Sequence, residues 1–218
     1  MTSLYVGNDI VDLTLKDNIG KSHDYRFLNR VFTASEQNFL NQSTNKDASL
    51  WKMWAAKEAA YKILKKCDPD LIFSHLKFVV TAQECQTRGM VKHHDKVISV
   101  RWEENADWVH CIAHMQSEDC PYRHFVWQVS SLAEHVSSKI PFSSRESASI
   151  YSSASRSVRV QTKKLLQKLG LEQVEIVREL LKNKFGPPFI MDSGHKNEDC
   201  DISMSHDGNF VASAIIVA

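Results

Sequence analysis

VGNDIVDL, residues 6–13, alternates as a strand does. Successive side chains of a strand point to opposite faces, so Tyr5, Gly7, Asp9, Val11 and Leu13 share one face and Val6, Asn8, Ile10 and Asp12 the other. Asp9 therefore sits among apolar neighbours. A carboxylate there must be neutralised, hydrogen-bonded or bound to a metal, because leaving it bare costs roughly several kcal/mol. The identity of its partner governs the reading of the whole chain.

Outward from this strand, residues 27–40 (FLNRVFTASEQNFL) read as a short helix ending at Arg30, a cap at Thr33 or Ser35, and a second helix carrying Phe39 and Leu40. A longer helix is expected over about residues 48–66, where LWKMWAAKEAAYKILKK is rich in strong helix formers, and Pro69 ends it. Three strands follow: LKFVVTA (76–82), KVISVRW (96–102) and WVHCIAHM (108–115). The second half repeats this outline. It has a strand at 122–130, a serine-dense stretch at 137–157 and a helix at 156–169. On that helix Val158, Thr162, Leu165, Leu166 and Leu169 form the core side, and Arg156, Arg159 and Lys163 form a basic stripe. VEIVREL (174–180), a Gly186-Pro187-Pro188 turn and a hairpin around Asp207-Gly208 complete the chain.

With 218 residues, 43% of them hydrophobic, the chain can bury one large core or two smaller ones in contact. The formal charge of +1 argues against a nucleic-acid binder. No apolar stretch approaches the roughly 20 residues of a membrane helix, and the N-terminus lacks the pattern of a secretion signal, so a soluble cytoplasmic protein is expected. The five cysteines form no C-x-x-C pair and read as reduced. His110 and His114 have a zinc spacing only on a helix. On the expected strand they lie about 13 Å apart, and His93-His94-Asp95 reads as a solvated turn.

Two further segments bear on chemistry. Glu58 shares a helix face with Trp54 and Lys62. A Glu–Lys pair at this spacing is commonly a surface pair worth about 0.2 to 0.5 kcal/mol, but Trp51, Trp54 and Tyr61 beside it suggest burial. Ser205-His206-Asp207 is not a hydrolase triad, since adjacent residues cannot form one and no G-x-S-x-G is present. Walker and G-x-G-x-x-G loops are also missing from the sequence, so any bound phosphate must be held by side chains.

Taken together, GNDIVDL, FTASE followed by WAAKEAAYK, and ISMSHDGNFVASA resemble the signature segments of the 4′-phosphopantetheinyl transferases. The helix before Gly-Pro-Pro adds a fourth element, and the likeness is weakest over residues 118–153. The resemblance implies an α+β fold and transfer of the phosphopantetheine arm of coenzyme A to a serine of an apo acyl, peptidyl or polyketide carrier protein, as in fatty acid biosynthesis. Adenosine 3′,5′-bisphosphate is released. It also implies Mg2+ held by Asp9 and Glu58, in keeping with the preference of that ion for one or two carboxylates plus substrate phosphate. Lys57 and Lys62 would neutralise the pyrophosphate, with Glu58 as proton acceptor. Ser205 and His206 would contact coenzyme A phosphates, and Arg156 its nucleotide end.

Two departures stand out. Val11 occupies the position where many two-lobed members carry a third acid, and Gly186-Pro187-Pro188 lacks the lysine of the usual Gly-Lys-Pro, for which Lys182 or Lys184 could substitute. The segment order also differs from that of two-lobed transferases, in which the S-H lobe comes first. Either this is a single-lobe enzyme of the trimeric type with a large insertion, or it is a two-lobed enzyme that is circularly permuted. The second reading is preferred. It expects two similar lobes, 1–119 and 120–218, each an antiparallel sheet with a long helix, in a pseudo-twofold arrangement with the active site between them, in a monomer. A non-catalytic coenzyme A or carrier-protein binding module of the same fold is the competing function.

Overall fold

The computed structural model describes residues 4–82, 87–116, 124–181 and 184–218. Strand β1 (Leu4–Asp12) is followed by helices α1 (Tyr25–Val31), α2 (Ala34–Gln42) and α3 (Lys46–Cys67), then by β2 (Val79–Thr81), β3 (Arg88–His93), β4 (Lys96–Glu104) and β5 (Trp108–Gln116). The second half runs β6 (His124–Ser131), α4 (Ala133–Val136), α5 (Ser144–Ser147), α6 (Ser153–Lys168), β7 (Glu175–Leu181), β8 (Lys184–Asp192), β9 (His195–Lys196), β10 (Cys200–Asp207) and β11 (Phe210–Val217). The fold is α+β with antiparallel sheets, as expected. Strand order is β1-β5-β4-β3-β2 in one sheet, β10-β11-β6 in the second and β7-β8-β9 in the third.

The two halves follow one plan. In each, a first strand (β1 or β6) pairs antiparallel with the last (β5 or β11), which pairs in turn with the strand before it (β4 or β10), while a long helix (α3 or α6) lies between them in the chain. A side-chain device recurs as well. Thr33 caps α2 in a capping box with Glu36, and Ser143 caps α5 in the same box with Glu146. Both glutamates turn inward. Glu36 takes Lys57 of α3 at 2.9 Å and the Val80 N–H at 2.8 Å, and Glu146 takes Lys163 of α6 at 2.8 Å and the Ile176 N–H at 2.9 Å. The sequence carries the matching signal, Phe-Thr-x-x-Glu at 32–36 and Phe-Ser-x-x-Glu at 142–146. The expected boundary near residue 119 falls in 117–123, outside the described residues.

Local chemistry explains where elements begin and end. Helix α3 is capped by Asn45, whose side chain accepts the Ala48 N–H, and ends at Asp68, before Pro69. Its small residues allow β1 to approach closely: a Cβ at Gly7 would collide with the carbonyl oxygen of Ala59. The expected strand at 76–82 shrinks to β2, preceded by a 3-10 turn at His75–Lys77, because the carbonyls of His75 and Phe78 point at the Lys57 ammonium instead of joining a ladder. Strand β3, with its glycine and polar residues, escapes the sequence pattern. Its turn into β4 uses His94 at φ 54° and Asp95, whereas His93, expected in the same solvated turn, ends β3 buried against the Phe78 ring. The Gly186-Pro187-Pro188 segment is not a turn but part of β8, opposite an irregularity in β7 between Arg178 and Leu180. An irregular stretch tolerates prolines that cannot donate to a ladder. The Asp207-Gly208 hairpin forms as expected, with Gly208 at φ 49°.

Strand β1 is the seam of the molecule. One of its edges pairs with β5. On the other, its N–H groups meet side chains of β10: Val6 donates to Asp201 at 2.7 Å, Asn8 to Ser203 at 2.9 Å and Asp12 to Asp207 at 2.9 Å. Each pair is 195 residues apart, so the two strands run parallel and are bridged by side chains instead of a backbone ladder. Asp12 accepts the Asn209 N–H in return, and Lys66 of α3 clamps the far end by donating to Val6 O, Ile202 O and Asp201. The seam thereby holds Asp9 in fixed register with Ser205 and His206.

Candidate active site

A cleft of about 390 Å³ opens where β1 and α3 face β10, α6 and β8. Asp9 and Lys62 line one wall, and Ser205, His206, Arg159 and Arg178 line the other. The partner of Asp9 in the structure is Lys62, whose Nζ lies 2.8 Å from Oδ1 and also donates to the Asn8 carbonyl at 2.7 Å. Burial pushes the Asp9 carboxyl above its usual range, against the opposing charge of Lys62, and Asp207 pushes in the same direction as burial. Glu58, one turn before Lys62, is pushed up to about 7 by burial and then by the charge of Asp9.

Two mutually repelling carboxylates, one driven to about 7, form a donor set that a divalent cation would relieve. Among the described residues no group of three or more His, Cys, Asp or Glu is arranged to hold a metal, so any ion would depend on these two plus substrate oxygens and water. The donor set fits Mg2+ on those terms. Val11 is buried in the core and supplies nothing.

Ser205 and His206 reach the cleft as expected. Ser205 Oγ accepts from Asn8 Nδ2 at 3.0 Å, and His206 Nε2 lies 3.4 Å from the Tyr151 hydroxyl. Arg156 does not line it. Its guanidinium donates to the Ser138 carbonyl at 3.0 Å and rests over the Phe142 ring, whereas Arg159, one turn on, lines the cleft. Arg159 is 2% exposed, and both of its terminal nitrogens are spent on Ser149 and Ser155. Its buried Nε has no partner among the described residues. Burial, then the charge of Arg178, lowers its pKa to about 10.

No ion pair to Arg159 or Arg178 is seen among the described residues. Arg159 is buried and Arg178 half-buried, and Glu146 acts on Arg159 only from beyond ion-pair distance, an arrangement that favours an anionic ligand. Arg178 stands beside the Gly-Pro-Pro segment: its Nε donates to Gly186 O at 2.6 Å and its Nη2 to Phe185 O at 3.2 Å. Lys184 is exposed and does not line the cleft, and Lys182 lies outside the described residues. Sequence reading placed Arg159 on the basic stripe but could not set the helix phase that brings it, and not Arg156, to the cleft. For Arg178 no local signal existed.

Lys57 is a correction. It is wholly buried, and its ammonium donates to Glu36 Oε2 at 2.9 Å, His75 O at 3.0 Å and Phe78 O at 2.6 Å. Three donors are spent on three acceptors, leaving none for a phosphate. Lys163 engages Glu146 in the second half as Lys57 engages Glu36 in the first, which marks the lysine as a brace for its helix. His110 lies on strand β5, and among the described residues it belongs to no metal cluster. No described helix is long and apolar enough to cross a membrane.

Comparison with known proteins bears on this cleft. A family model of the 4′-phosphopantetheinyl transferase superfamily matches residues 5–113. The chain is 36% identical over 64 residues to a holo-[acyl-carrier-protein] synthase of Chlamydia caviae, a match that takes in 29% of this chain and 52% of that protein. The chain thus spans about half the length of that curated relative. Among solved structures, holo-[acyl-carrier-protein] synthase from Neisseria meningitidis is similar at 18% identity and a TM-score of 0.41, covering 52% of this chain and 98% of that one. The Thermotoga maritima holo-[acyl-carrier-protein] synthase is similar at 14% identity and a TM-score of 0.41, covering 66% and 80%.

Proposed function

Because the chain belongs to the 4′-phosphopantetheinyl transferase superfamily, we propose that it moves the 4′-phosphopantetheine arm of coenzyme A onto a serine of an apo acyl, peptidyl or polyketide carrier protein, with Mg2+, releasing adenosine 3′,5′-bisphosphate. The observation that carries the reading is the cleft itself. It faces Asp9 and Lys62 in the first half with Ser205, His206, Arg159 and Arg178 in the second, while Glu58, close enough to feel the charge of Asp9, sits on the helix that supplies Lys62 but outside the lining.

In this proposal Asp9 and Glu58 hold the metal ion, which supplies charge stabilisation to the pyrophosphate when bound. Lys62 exchanges its bond to Asp9 for a phosphate oxygen as negative charge develops. Glu58 takes the proton of the carrier serine, directly or through water. Ser205 donates to a phosphate oxygen, and Arg159 and Arg178 receive the nucleotide end. Positioning and electrostatics account for the rate, as expected for phosphoryl transfer. The lobes 1–119 and 120–218, with the site between them, a monomeric assembly and a cytoplasmic location belong to the same proposal. The competing reading, a binding module without turnover, leaves the raised acid of Glu58 without a task.

Lys62→Ala tests the assignment. Turnover should fall by on the order of 10²-fold, because the lysine acts on charge that develops in the transition state. Thermal stability should fall as well, because the largely buried Asp9 loses its partner, so turnover is read per folded molecule. A normal rate in the folded variant would remove Lys62 from the chemistry.

A further inference from the structure

Asn8, between Gly7 and Asp9, points away from the acids. It is fully buried where β1 meets β5 and β10. Its backbone N–H is held by Ser203 Oγ, and its side-chain Nδ2 lies 3.0 Å from Ser205 Oγ and 3.1 Å from His110 Nε2. An amide nitrogen has two N–H groups, and these two neighbours take both. His110 is itself wholly buried on β5, opposite Ile10, and burial pushes its pKa down to about 3, so its ring is neutral and its Nε2 is free to accept.

A serine hydroxyl has one donor and two lone pairs. With one lone pair of Ser205 taken by Asn8, its O–H is left to point into the cleft that Asp9 and Lys62 share. We propose that Asn8, oriented by His110 behind it, is a positioning residue that fixes Ser205 as a hydrogen-bond donor to an anionic phosphate oxygen in the cleft. The inference rests on the reading of the cleft as a coenzyme A site.

The opposite amide orientation would aim Asn8 Oδ1 at Ser205 and His110. The Ser205 O–H would then turn inward and be lost to the ligand. In the observed orientation Asn8 Oδ1 and His110 Nδ1 lack partners among the described residues, one acceptor and one donor. Flipping the amide strands both of its N–H groups and leaves His110 Nδ1 as an unmet acceptor. That is one more buried donor without a partner, and such donors are the costlier kind to leave unmet.

Two measurements on the intact protein decide the matter. Nitrogen-15 NMR of the histidines should show His110 as the Nδ1–H tautomer with an unprotonated Nε2. An Nε2–H tautomer means the amide is reversed and overturns the proposal. In calorimetric titration with coenzyme A, Ser205→Ala should weaken binding about tenfold, the scale of one hydrogen bond to a charged group. Asn8→Leu should weaken it by a similar factor, and the double variant should bind no worse than either single one, because one interaction is removed by two routes. Losses that multiply, or an Asn8→Leu protein that binds as the wild type does, overturn the proposal. If Asn8→Leu does not fold, the tautomer and Ser205→Ala decide. A wild-type protein that ignores coenzyme A refutes the proposed function, while the tautomer still shows whether Ser205 is held as an outward donor.

Discussion

Asp9→Ala should lower transfer by on the order of 10²-fold or more while the protein stays folded, because it removes a group proposed to hold the charge opposite the pyrophosphate. Glu58→Gln should lose turnover on a similar scale, and it has a second signature. The carboxyl of Glu58 is raised from 4.5 to about 7 in the folded protein. As pH rises between those values, the unfolded chain sheds this proton and the folded chain keeps it, so the group makes stability fall with rising pH. At pH 8 the metal-free wild type therefore carries a buried charge that Glu58→Gln does not. The variant should melt higher there by a few degrees, about 1 to 2 kcal/mol, and show no advantage at pH 4. A mutation that stabilises the protein and silences it is the mark of a residue kept for chemistry. If Glu58→Gln melts lower at pH 8, the acid is structural.

Lys57→Ala should act in the opposite sense. It leaves Glu36 buried beside an empty position, and breaking a buried pair by removing one partner costs about 3 to 5 kcal/mol. The carbonyls of His75 and Phe78 lose their donor in the same step. Denaturant titration should therefore show a large loss of stability, whereas the protein that remains folded should bind coenzyme A with unchanged affinity. Weakened affinity at unchanged stability would return Lys57 to the phosphate. Lys57 and Lys62 lie five residues apart on one helix, so this contrast separates a brace from a catalytic cation.

Much of the fold was legible because single elements carry their own pattern. The alternation in β1, the alanine-rich composition of α3 and the Asp-Gly turn between β10 and β11 each state a local preference that tertiary packing did not override. What was not legible depends on partners far away in the chain. Nothing near Asp201 reveals that its carboxylate closes the edge of a strand 195 residues earlier, and nothing near Lys57 reveals that its ammonium is enclosed by a capping-box glutamate and two carbonyls. The prolines at 187 and 188 suggested a turn, and only the irregular pairing of β7 makes room for them in a strand. Of the motif residues singled out in the sequence, Asp9, Lys62, Ser205 and His206 line the cleft, and Glu58 lies beside Asp9 outside the lining. Arg156, expected toward the nucleotide end, lies off the cleft that Arg159 lines one turn on, since a basic stripe read from sequence does not say which of its members faces inward.

The most direct test of the account is to incubate the chain with coenzyme A, Mg2+ and several apo carrier proteins and to weigh the carriers by mass spectrometry. The account predicts that at least one carrier gains the mass of a single phosphopantetheine arm, with adenosine 3′,5′-bisphosphate appearing in equal amount, and that neither forms when Mg2+ is chelated. Carriers of unchanged mass, under conditions where coenzyme A is bound to the protein, would contradict it and leave a binding module in place of a transferase.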